Sequence, residues 1–169
     1  MKILVLLTLC GIQGLAAVAA GPSMALTSPS FADGARIPKL FTCDGGDRSP
    51  ALAWSNVPEG ARSLVLVCDD PDAPVGDWVH WLLMDIPATE KGVAENGTFS
   101  KSTVGQNSWK RSAYGGPCPP PGKAHRYIFT LYALDTWLTL PATTTRDDME
   151  RMIQGHILAV ARLTGTYGR

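Results

Sequence analysis

Tyr127-Ile128-Phe129-Thr130-Leu131-Tyr132-Ala133-Leu134 decides the fold of this chain. It is aromatic, β-branched and otherwise apolar, without glycine or proline, which is the composition of a strand. Its apolar residues fall at odd and even positions alike. A strand reads that way when both of its faces are covered, by a second sheet or by helices laid on it. Val79 to Ile86 repeats the pattern and is ended by Pro87, and Ser63 to Cys68 is a third such run ended by Asp69-Asp70-Pro71. Ala51 to Trp54 is a shorter strand between Ser49-Pro50 and Ser55-Asn56, and Ala161 to Tyr167 closes the chain as another, with Gly165 marking a bulge. Short apolar runs alternate with turn signals, and neither an internal repeat nor a linker interrupts them. The expected fold is mostly β, an antiparallel β-sandwich-like domain over residues 21–169.

One helix interrupts the strands. Thr144 and Thr145, followed by Asp147 and Asp148, form a capping-box-like start. Met149, Met152, Ile153, Ile157 and Val160 then recur at helical spacing, so the helix is expected to lay this stripe on the sheet. His156, placed at its end, reads as a partner for the helix dipole.

The N-terminus reads as a secretory signal peptide over residues 1–20. Lys2 precedes the apolar run Ile3 to Leu9, and Ala-x-Ala ends at Ala19. The run is well short of the ~20 residues that span a bilayer, and no transmembrane segment is expected elsewhere. Cys10 raises lipidation, but Leu9 stands where the processing enzyme takes a small residue. The expectation is an exported protein, periplasmic or secreted. The remaining ~150 residues are the usual size of one domain with a real core. Net charge is zero and only 18% of residues are charged, with no Lys or Arg run. That excludes an electrostatic case for nucleic acid or an acidic membrane surface. Cleavage leaves Cys43, Cys68 and Cys118. Cys68 lies in an apolar run and reads as core. Cys43 and Cys118, both in loops, are the one pair left for a disulfide; whether they meet stays open.

Two proline-rich loops carry the chemistry. Asp70-Pro71-Asp72-Ala73-Pro74 runs into Trp78-Val79-His80, and Gly116-Pro117-Cys118-Pro119-Pro120-Pro121-Gly122 runs into His125-Arg126-Tyr127. Each loop places one of the chain's three histidines at a strand start. Strand alternation puts Trp78 and His80 on one face, and His125 and Tyr127 on one face. If the two strands are neighbours, these four side chains converge on one pocket. Prolines fix φ and reduce the entropy lost on binding, and they leave Gly116, Cys118 and Gly122 as the loop's N–H donors. Imidazole suits an anion near neutral pH. Asp70 then either orients a histidine or shares a proton with the ligand. Asp72 reads as a turn-stabilising side chain that bonds the following backbone.

The paired loops resemble those of the phosphatidylethanolamine-binding protein family, in its bacterial Raf-kinase-inhibitor-like branch, over about Ser28 to Arg169. The resemblance implies that Asp70, Trp78, His80, Pro120, His125 and Tyr127 line a phosphoryl-headgroup pocket, with Gly116 and Cys118 in the loop that closes it. It implies a small phosphorylated or carboxylate ligand, a phospholipid headgroup among the candidates, and a homodimer. The expected function is non-enzymatic binding, with no cofactor. Two other classes compete. Cys118 near a histidine could form a nucleophile–base pair, but no serine sits on a nucleophile elbow and the prolines leave little for an oxyanion hole. The resemblance also brings in protease inhibition by a surface loop, for which Val93 to Arg111, polar and glycine-spaced, is the one segment long enough. A metal site is not expected, because no short ligand spacing supports zinc.

Overall fold

The computed structural model describes residues 23–169. The expected leader, with Cys10 and the cleavage site at Ala19, lies outside the described residues. Two antiparallel sheets form the body. The larger runs in the order β6 (Thr103–Val104), β4 (Trp78–Pro87), β3 (Ser63–Asp70), β7 (His125–Leu134) and β8 (Ile157–Tyr167). The smaller joins β1 (Ala25–Thr27), β2 (Leu52–Ser55) and β5 (Gly92–Val93).

β3 takes the centre because every one of its side chains can be buried, and every one is. Leu64, Leu66 and Cys68 face the small sheet, where they meet Leu26, Leu52 and Trp54 in one core cluster with Trp81, Phe129 and Leu131. Val65 and Val67 face the other way, into a second cluster with Leu82, Met84 and two residues of the helix α1 (Arg146–Ile153), Met149 and Ile153. So the two faces of the sheet are covered differently, one by strands and one by a helix. Burying each of those two helix side chains contributes about 1.5–3 kcal/mol.

Thr145 caps α1 reciprocally with Asp148, as the sequence leads one to expect. The helical stripe is shorter than expected. Gly155, at φ +82°, turns the chain out of the helix, so Ile157 and Val160 belong to β8 and are exposed, as is Met152. His156 therefore lies past the helix, and its Nδ1 donates to Asp135 Oδ1 at 2.7 Å instead of serving the helix dipole. Gly165 is not a bulge; it pairs in register with Tyr127. A Cβ there would fall 2.4 Å from Ile37 Cγ1, so the position is glycine for close packing. The real irregularities are elsewhere, one of them on β4 before Ile86, where Asp85 adopts φ +56°. β4 and β7 are not neighbours either. β3 runs between them and brings Asp70 to the same end as both histidines.

Cys43 and Cys118 form a disulfide with Cα atoms 5.4 Å apart. Cys68 is a buried free thiol.

Candidate functional site

Asp70 ends β3, opposite Trp78 at the start of β4. Its carboxylate is buried and does two jobs. Oδ1 accepts the Asp72 N–H at 2.9 Å, closing the turn, and Oδ2 accepts His125 Nδ1–H at 2.8 Å. The turn-former is thus Asp70 and not Asp72. Asp72 reaches across to β7 and grips Arg126. Its Oδ2 accepts the backbone N–H and Nε–H, each at 2.9 Å, and Oδ1 accepts a terminal guanidinium N–H at 2.8 Å. These bonds hold the Asp72 carboxyl well below the usual carboxylate range. The first proline-rich loop is fastened to the strand that carries His125.

His80 is 2 % exposed. Its Nδ1 donates to the Gly115 carbonyl at 2.6 Å, and since a carbonyl only accepts, the proton sits on Nδ1. Burial pushes the His80 pKa below its usual 6.5, favouring the neutral ring. Both histidines thus have Nδ1 tied off, and Nε2 is the nitrogen each has left for a ligand. The His80 ring stands edge-on between Trp109 and Tyr127, at 5.0 and 5.1 Å between centroids. Tyr127 is fully buried, and its hydroxyl has no hydrogen-bond partner of good geometry among the described residues. Burial, with the Asp70 carboxylate close by, raises the phenol's pKa.

A pocket of about 280 Å³ opens over this floor. Asp70, His80 and His125 supply its polar base. Ala73, Pro74 and Val75 of the first loop and Pro119 and Pro120 of the second, with Cys118, make its walls, and Trp78 and Trp109 flank its mouth. Six of the eight residues singled out from sequence line this pocket. Tyr127 and Gly116 do not. Tyr127 lies beneath the His80 ring. Gly116 lines an adjoining cavity of about 330 Å³ with Asp47 and Tyr114. Its N–H donates to Asp47 Oδ1 at 2.6 Å, and the Gly122 N–H goes to the Arg169 carbonyl, so neither donor is free for an anion. A Cβ at Gly116 would fall 2.5 Å from the Phe41 carbonyl oxygen, which is why the loop needs glycine there.

Trp109 escapes sequence reasoning. It packs edge-on against Trp78 at 5.3 Å and is delivered by a turn built around Asn107. That buried amide accepts the Trp109 and Arg111 N–H groups and donates to the Ala113 carbonyl. The one available signal, a lone Asn-Ser-Trp in a polar loop, has no periodicity to mark it. Among the described residues no cluster of three or more acidic, histidine or cysteine side chains could hold a metal ion.

Two antiparallel sheets, a helix on the outer face and a pocket at one end of the central strands define a β-sandwich of known type. The family model for phosphatidylethanolamine-binding protein matches residues 27–168, and the chain belongs to that family. Among its relatives, a UPF0098 protein of Methanothermobacter thermautotrophicus is 45% identical over 151 residues, covering 86% of this chain and 99% of that one. One of Aquifex aeolicus is also 45% identical, over 89% and 92% of the two chains. A crystal structure of a phosphatidylethanolamine-binding protein homologue from Chlamydia trachomatis superposes with a TM-score of 0.83 at 38% identity, covering 87% of this chain and 98% of that one. Escherichia coli YbcL, described as a member of the mammalian family, gives 0.83 at 29% identity, over 88% and 99%.

Proposed function

We propose that the protein is a non-catalytic binding protein whose pocket takes the phosphoryl end of a small ligand. The observation that carries this reading is the pairing of two imidazoles, each with Nδ1 committed and Nε2 left over, around one small polar floor. The apolar walls suit a phosphate ester better than free phosphate, since the ester's organic part has surface to bury. His80 is neutral at rest, so the phosphoryl group is bound with a proton: either the ester arrives as its monoanion and donates to Nε2, or His80 takes up a proton as the dianion arrives. In both cases affinity falls as pH rises through the range where that proton is lost. Calorimetric titration of phosphoethanolamine between pH 5.5 and 8.5 tests this. Affinity that is flat or rises with pH refutes the reading.

The disulfide supports binding over catalysis, because Cys118 Sγ is bonded to Cys43 and offers no thiolate. The stretch Val93 to Arg111 is a poor shape for a protease-inhibiting loop. It contains β6, is strapped to β4 through the Gly105 and Ser108 N–H groups, and commits Trp109 to the pocket lining. Export and a homodimer complete the proposal. The exposed Ile157, Leu158 and Val160 along β8, an edge strand of the larger sheet, offer a surface for self-association, and light scattering of the purified protein tests it.

A further inference from the structure

A groove of about 620 Å³, larger than the pocket just described, lies where the irregular part of β4 meets β6 and the chain following β7. Asp85, Lys101, Thr103, Trp137, Thr139 and Leu140 line it. None of them belongs to the phosphoryl site.

Five observations meet there. Asp85 stands at the β4 irregularity with φ +56°, the kind of feature that re-aims a side chain. The residue is 4 % exposed, and its Oδ1 alone accepts the Leu138 and Thr139 N–H groups, at 2.9 and 3.2 Å. Oδ2 is left without a protein partner among the described residues. Thr139 holds φ +53°, a left-handed conformation that a β-branched residue adopts only when its surroundings enforce it. Trp137, two residues before, is 41 % exposed. Lys101 is exposed and forms no ion pair with Asp85.

Anchoring the Leu138–Thr139 turn uses one oxygen of Asp85. It accounts neither for the second oxygen nor for an indole left in solvent beside it. We propose that this groove binds a neutral saccharide unit. The reasoning is by exclusion on charge and then by fit. An anion would face Asp85, and a cation would face Lys101. A hydrocarbon would cover both charges and leave them unpaired, which is costly. A sugar carries hydroxyls that donate to Asp85 Oδ2 and accept from Lys101 Nζ, while the C–H face of its ring packs on the Trp137 indole. The Thr103 and Thr139 hydroxyls add further partners of either sense.

The test is an NMR titration of the whole protein with neutral oligosaccharides of glucose, mannose, galactose and N-acetylglucosamine. One of these classes is expected to shift the Trp137 indole signal and the backbone amides of residues 101–103 and 137–141. Trp137→Ala and Lys101→Ala, both at exposed positions, are expected to weaken that binding at least ten-fold. Asp85→Asn should do the same while keeping an oxygen for the turn. His125→Ala, in the other site, should leave it unchanged. The proposal is overturned if no oligosaccharide moves the Trp137 signal. It is equally overturned if Trp137→Ala binds as well as the parent, or if only charged probes bind in the groove.

Discussion

The buried Tyr127 hydroxyl has no hydrogen-bond partner of good geometry among the described residues, and such a group costs about 1–3 kcal/mol in desolvation. Tyr127→Phe should therefore stabilise the free protein by roughly 1 kcal/mol, read as a higher urea midpoint. Should the phosphoryl ligand supply the missing partner, the same change lowers affinity, so stability and binding move in opposite directions. A variant that loses stability would show that the hydroxyl is already satisfied. His80 makes the second argument at this scale. Its pKa is pushed down by burial, so the unfolded chain binds a proton near pH ~6.5 before the folded one does. The stability it contributes is complete above that pH and is lost as the pH falls through it toward the folded value. Urea denaturation between pH 5 and 8 should show this slope in the parent and a weaker one in His80→Gln. An unchanged slope assigns the acid sensitivity to another group. His80→Ala should also weaken phosphoethanolamine binding by about 1.5–3 kcal/mol, the range for a hydrogen bond to a charged group.

Elements, more than single residues, separate what the sequence makes legible from what it hides. Strands β3, β4 and β7 announce themselves because burial on both faces puts apolar residues at odd and even positions alike. β1, β5 and β6 are two or three residues long and carry too little pattern to register. The end of α1 is misplaced by pattern alone, because Ile157 and Val160 continue the helical spacing by coincidence after Gly155 has broken the helix. Asp70, His80 and His125 stand out because each sits at a strand end beside prolines, whereas Trp109 reaches the pocket through a turn with no periodicity. Long-range partners are the least legible. That Asp72 grips Arg126 depends on β3 and β7 being neighbours. This clamp is exposed and thus open to salt screening. Asp72→Ala should speed hydrogen exchange in the loop through Gly76 and weaken ligand binding modestly, with the difference from the parent shrinking at 1 M salt. Exchange confined to the helix instead would mean that the loop is held by other contacts.

At the scale of the whole molecule, the disulfide ties the fold to the compartment in which it forms. Cys43 and Cys118 are 75 residues apart, and closing a loop of that length restricts the unfolded chain by about 4 kcal/mol on the chain-entropy account. Cys118 also lines the pocket, so the same bond holds the second proline-rich loop over the site. Such bonds persist in oxidising compartments, which is the environment that a cleaved leader would deliver. On the proposed export, the mature protein should begin at Ala20 or Gly21, carry the Cys43–Cys118 bond, and retain Cys68 as its one thiol, buried until the chain unfolds. Intact mass and thiol alkylation, before and after denaturation, read all three. Reduction, or the double change Cys43→Ser with Cys118→Ser, should lower stability by about 2–4 kcal/mol and weaken phosphoethanolamine binding, without abolishing the sandwich. An exported form that keeps Met1, a lipid on Cys10, or free alkylation of Cys43 and Cys118 in the native state would overturn the link between export, crosslink and pocket.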